Sequence, residues 1–122
     1  MGKTLQTNIL GFPRIGQNRE LKKVLEAYWA GKASEAELQS TAKELRAKHW
    51  SLQANAGLQA NESANSANNA KGLDFVCVND FSFYDNVLDL AYALGAKPKR
   101  FENLDGLEGY FALARGHKSG VA

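Results

Sequence analysis

The chain has 122 residues, 44% hydrophobic and 23% charged, with a formal net charge of +2, the make-up of one small globular domain or a piece of a larger one. So slight a charge argues against a nucleic-acid or membrane surface, and no apolar run approaches the roughly 20 residues that span a bilayer. The start, MGKTLQTNILGF, lacks a signal peptide's apolar core, and the single cysteine, Cys77, excludes an intrachain disulfide and suits a reducing, cytoplasmic compartment.

Residues 7–10 read as a short apolar strand stopped by Gly11 and Pro13. A first helix is expected with Asn18 as its N-cap and Gly31 just past its end, burying Leu21, Val24, Leu25, Tyr28 and Trp29. Ser34, with Glu37 three residues on, predicts a capping box opening a second helix. That helix should bury Leu38, Ala42, Leu45, His49, Leu52 and Ala56 and stop at Gly57. The Asn-, Ser- and Ala-rich residues 59–72 cannot fill a core and read as a flexible insert.

Residues 73–78, LDFVCV, form a nearly continuous apolar run, as in a strand covered on both faces. Ser82 and Asp85 then look like the cap of a third helix with the stripe Tyr84, Val87, Leu88, Ala91 and Leu94, ended by Gly95. A connection around Pro98 leads to a last helix opened by Asp105 and Glu108, running through Leu107, Tyr110, Phe111 and Ala114 and stopped at Gly116. Strands alternating with helices argue for parallel βα units of an α/β fold. Two or three parallel strands close no sheet, so the chain is expected to be the opening portion of something larger.

The most informative stretch is residues 10–23, LGFPRIGQNRELKK. A helix N-terminus carries about half a positive charge, so acids are favoured in its first turn by roughly 0.3–1 kcal/mol each. The second helix obeys this with Glu35 and Glu37 early and Arg46, Lys48 and His49 late; the first instead opens on Arg19, Lys22 and Lys23. One reading is a solvated face with Lys22 paired to Glu26, worth a few tenths of a kcal/mol. The other is an anionic ligand, for which a helix start after a parallel strand is a suitable place. Arg14, in the loop after the strand, either reaches such a ligand or holds the loop through backbone carbonyls. The spacing of Gly11 and Gly16 is no phosphate loop, since Gln17 and Asn18 stand where Lys and Ser or Thr are required.

The stretches LGFPRIG, RELKKVLEAYWAG, ELRAKHWSLQANAG and NDFSFYDNVLDLAYALG, in this order, resemble the N-terminal part of the cobalamin-independent methionine synthase family. The resemblance covers nearly the whole chain apart from the Asn-rich insert. It implies a partial N-terminal (β/α)8 barrel over residues 1–122, and a full-length enzyme that moves a methyl group from methyltetrahydropteroyl-triglutamate to homocysteine. It further implies that the zinc, its His, Cys, Glu and Cys ligands and the homocysteine pocket lie in a C-terminal barrel absent from this chain, which alone should be inactive. The part carried over is a site for the folate's polyglutamate tail at Arg19, Glu20, Leu21 and Lys22, with Arg14 and Lys23 as additional contacts. The chain's partners on this reading are that tail and the C-terminal barrel, and uncovered apolar faces favour self-association. The alternative is a non-catalytic module that binds polyanions or a protein partner through the same cluster.

Other candidates have simpler readings. Asp80 and Asp85 flank FSFY and could serve as an acid–base pair, but Asp85 suits a helix cap and Asp80 a loop-ordering role. His49 reads as a hydrogen-bonded core residue. Cys77, His49 and His117 have no metal-site spacing, and no catalytic residue is assigned. Trp29, Trp50, Tyr28 and Phe111 fall at core spacing.

Overall fold

The computed structural model describes residues 5–56 and 72–117, so the expected insert lies outside the described residues except for Gly72. Their regular structure is helical: α1 (Glu20–Trp29), α2 (Glu35–Ala54), α3 (Asn86–Ala93) and α4 (Gly106–Arg115), with a 3-10 turn at Lys99–Phe101. The chain divides into two units, Met1–Phe81 and Ser82–Ala122.

The helix expectations hold in kind, with corrections at their edges. The first concerns the start of α1, where the N-cap is Arg19 at φ 61, not Asn18, and no side chain caps the helix. Asn18 falls one residue early because its N–H donates to Glu20 Oε2 (2.9 Å). Glu20 is in turn folded over Gly16, whose φ is +90 and where an added Cβ would collide with that carboxylate oxygen. At its far end α1 closes as expected on Gly31 (φ 70). Gly31 N–H bonds to Tyr28 O (3.0 Å) and Lys32 N–H to Ala27 O (2.8 Å), the two bonds of a Schellman motif.

In α2 the capping box forms in full: Glu37 N–H donates to Ser34 Oγ (3.2 Å), and Ser34 N–H donates to Glu37 Oε2 (2.7 Å). The buried stripe runs Leu38, Ala42, Leu45, His49 and Gln53. It ends on Gln53 in place of the expected Leu52, which is 44% exposed, while Ala56 is also exposed. Leu21 and Leu25 of α1 and Leu38, Ala42 and Leu45 of α2 are the buried apolar residues of this helix pair.

No strand forms among the described residues, although two were expected. A parallel strand exists only through a run of bonds to its neighbours. Here a single backbone bond, Phe75 N–H to Thr7 O (3.2 Å), joins the two segments. Side chains take other places: Thr7 N–H and hydroxyl donate to Asp74 Oδ2 (2.8 and 3.0 Å), and Asp74 N–H donates to Thr7 Oγ1 (3.2 Å). Further along, the buried Gln53 amide imitates a strand edge. Its Oε1 accepts from Cys77 N–H (2.8 Å) and its Nε2 donates to Cys77 O (3.4 Å).

In the second unit Asp85 caps α3, accepting from Val87 N–H (2.8 Å) and Leu88 N–H (3.0 Å). The expected buried stripe of α3 does not form. Of its members Tyr84, Val87 and Leu94 are exposed (37%, 79% and 75%) and Leu88 and Ala91 only half-buried, with Leu90, outside the stripe, also 62% exposed, while Asp89 and Tyr92 make the contacts to Tyr110 of α4. There Tyr110 is the hub: its hydroxyl donates to Asp89 Oδ1 (2.6 Å) and accepts from Tyr84 N–H (3.0 Å), and its ring meets Tyr92 edge-on at 5.9 Å. Burial, and then the Asp89 bond, raise the Tyr110 pKa above its ordinary value. Asp105 starts α4 without capping it, since its carboxylate is taken by Lys97 Nζ at 2.7 Å.

Candidate functional site

The residues expected to hold an anionic tail divide into three settings. Arg19 and Lys23 are exposed at the start of α1. Lys22 is exposed beside them, with Nζ 3.6 Å from Glu26 Oε1 and both side chains about half in solvent (46% and 58%). A pair so exposed contributes little, about 0–1 kcal/mol, and yields readily to a better anion.

Leu21 is different: its side chain is fully buried and its N–H is bonded to Ile15 O (3.0 Å). Its place is in the core, where it anchors the helix that carries Arg19 and Lys22. Glu20 acts as an internal acid for the helix start. Its carboxyl is held below the ordinary value chiefly by its own backbone N–H, with desolvation opposing and Asn18 and Lys48 assisting. The acid favoured in the first turn is thus present, which leaves the neighbouring cations free of any role in stabilising the dipole.

Arg14 has the third setting. Half-buried, it lines a cleft in the first unit together with Phe12, Arg46, Trp50, Asp80 and Phe81, among others. The loop before α1 is tied to this cleft by Asp80, whose Oδ2 accepts the Phe12 N–H. The loop also passes so close that a Cβ at Gly11 would lie 2.8 Å from that oxygen. This matches the loop-ordering role for Asp80, as the α3 cap does for Asp85.

His49 sits in the cleft wall, 8% exposed, with its ring 4.8 Å from that of Phe12. Contrary to expectation, no hydrogen bond holds the ring among the described residues. Desolvation, then the Lys48 charge, push its pKa below the ordinary value, so it favours the neutral form. Arg46 lies with its guanidinium 5.2 Å from the centre of the Phe81 ring. In the sequence it stands only as a late-helix cation. The signal that could have found it is the spacing of Arg46, His49, Trp50 and Gln53, one face of α2.

No group of three or more His, Cys, Asp or Glu placed to hold a metal occurs among the described residues. Cys77, His49 and Asp80 line the cleft without being placed to share a metal, and His117 is paired with Glu108 at 3.0 Å. These donors do not fit a zinc site. No helix among the described residues is long and apolar enough to cross a membrane.

Among the described residues, the first unit thus presents exposed cations at the start of α1 and an aromatic-lined cleft holding Arg14 and Arg46. Residues 6–122 match the family described as cobalamin-independent synthase, N-terminal domain, and the chain belongs to that family. Its relatives include a 5-methyltetrahydropteroyltriglutamate–homocysteine methyltransferase of Flavobacterium johnsoniae, 49% identical over 116 residues, or 92% of this chain and 13% of the relative. Enzymes of the same name from Desulforamulus reducens and Xylella fastidiosa are 48% and 47% identical over 95% of this chain, covering 13% and 14% of their own length. The chain thus spans about one-seventh of the curated relatives it matches.

Proposed function

We propose that the chain is the opening part of the N-terminal (β/α)8 barrel of an enzyme that transfers a methyl group from 5-methyltetrahydropteroyltriglutamate to homocysteine. Within that enzyme the start of α1 holds the folate's polyglutamate tail, with Lys22 and Arg19 contacting carboxylates, Lys23 and Arg14 assisting, and Leu21 and Glu20 setting the helix in place. The observation that carries the reading is the exposure of Arg19, Lys22 and Lys23 on a helix start whose dipole their charges oppose. A remote anchor of this kind helps position the reacting methyl group. The zinc chemistry belongs to the C-terminal barrel, the partner this segment works with, and the location is cytoplasmic.

Alone, the chain is expected to make no methionine, and methionine formation by the purified 122 residues would overturn that part of the reading. The tail site is tested by calorimetric titration with triglutamyl and monoglutamyl folate. The reading predicts tighter triglutamyl binding, and loss of that preference in Lys22→Ala. Equal binding of the two folates, or a preference that survives in the variant, would instead indicate a non-specific polyanion surface.

A further inference from the structure

A further cation stands at the start of α1, brought there by α2. Gly16 marks where the two helices meet: a Cβ on it would collide with the Glu20 carboxylate on one side and lie 2.9 Å from Leu45 Cδ2 on the other. The Glu20 carboxylate therefore lies against the turn of α2 that holds Leu45. Residues three and four positions on share a helix face, so Lys48 and His49 follow Leu45 along it. Electrostatics agree with this placement. The Glu20 carboxyl, held below its ordinary value chiefly by its own backbone N–H, is lowered further by the Lys48 charge. His49 is depressed mainly by burial and then by Lys48, while the Glu20 carboxylate acts on it in the opposite sense.

His49 turns inward at 8% exposure, whereas Lys48 is exposed. Among the described residues Lys48 makes no hydrogen bond or ion pair, so the three N–H donors of its ammonium are available to a ligand. Its position among the cations gives it a use. At 3.6 residues per turn, Glu20 and Lys22 stand about 200° apart around α1. Lys48 is thus on the Glu20 flank of the helix start, across from Lys22, with the exposed Lys23 between the two flanks. Each glutamate added to a folate tail brings one more carboxylate. A short tail is satisfied around Lys22, and a longer one has a carboxylate to carry to the far flank.

We propose, resting on the polyglutamate reading above, that Lys48 receives the distal glutamate of the bound tail, so that the site distinguishes tails by length. The contact adds a second helix to a site otherwise built from α1 and the loop before it. An exposed ion pair changes affinity only a few-fold, and that sets the size of the effect to be measured.

The test is a calorimetric titration of the purified chain with mono-, di- and triglutamyl folate at low ionic strength. The parent chain should bind the triglutamyl form most tightly. Lys48→Gln should weaken triglutamyl binding about threefold to fivefold and monoglutamyl binding far less, which a general loosening of the helix start would not do. Lys48→Arg, which keeps the charge, should retain the triglutamyl preference. Lys43→Gln removes the same charge from an exposed position on another face of α2 and should bind as the parent does. Far-UV circular dichroism checks each fold, and Lys48→Ala takes the place of Lys48→Gln if that variant is unfolded. A triglutamyl preference undiminished in Lys48→Gln, or an equal loss in Lys43→Gln or Lys48→Arg, overturns the proposal and leaves the tail reading standing. Equal binding of all three folates by the parent chain overturns both.

Discussion

Arg19 adopts φ 61, a left-handed conformation that costs a residue with a Cβ about 1–2 kcal/mol. Glycine would occupy it without that strain, though with a larger loss of chain entropy. We expect Arg19→Gly to stabilise the chain by about 0.5–1 kcal/mol in urea denaturation while weakening triglutamyl folate binding. A variant that loses stability, or binds unchanged, would contradict the idea that strain here is retained for a cation. Gln53 makes the opposite case, since both its amide ends are used on Cys77. Gln53→Leu keeps the volume but leaves a half-buried N–H and C=O without partners, at an expected cost of about 1–3 kcal/mol. His49 adds a pH signature. Its folded pKa is depressed, so the unfolded chain binds the proton more readily, and the native state loses stability as pH falls below the ordinary histidine value of about 6.5. Denaturation midpoints measured from pH 8 to pH 5 should decline in the parent chain and stay flatter in His49→Phe.

At the scale of elements, the signals legible in the sequence were local ones. The Ser34–Glu37 box, the Asp85 cap, and Gly31 and Gly95 past their helix ends involve neighbours a few residues apart, and each formed. What the sequence concealed was decided by partners far along the chain. Gln53 is polar and would be placed outside by pattern alone, yet residues 24 positions later draw it in. Residues 7–10 and 73–78 have strand composition, but a ladder depends on neighbouring chain that composition does not describe. Val87, Leu90 and Leu94 have helical core spacing and still face solvent. The cationic start of α1 was visible, whereas the cleft was not, because it gathers residues from three separate segments. The capping box carries its own prediction. Glu37 is held below its ordinary value by the Ser34 N–H and then the Ser34 hydroxyl, so its contribution is present above the ordinary carboxylate value of about 4.5 and is lost as pH falls through the lower folded value. Ser34→Ala should lower stability at neutral pH by about 0.5–2 kcal/mol and reduce this acid-induced loss in circular dichroism melts.

For the whole molecule, two units share one chain, each with its own buried aromatic or aliphatic cluster. The first carries the candidate tail site; the second offers an exposed apolar stripe on α3. If that stripe mediates the expected self-association, the sedimentation coefficient should rise with concentration and Leu90→Lys should remove the rise. Membership in the cobalamin-independent synthase family gives the first unit's cations a specific ligand to be tested against. The most direct measurement is a ¹⁵N NMR titration of the chain with mono- and triglutamyl folate. The account predicts saturable shifts of the amides of residues 19–23 with the triglutamyl form, much weaker with the monoglutamyl form and suppressed by high salt. Shifts of equal size with both folates, or none at residues 19–23, would contradict it.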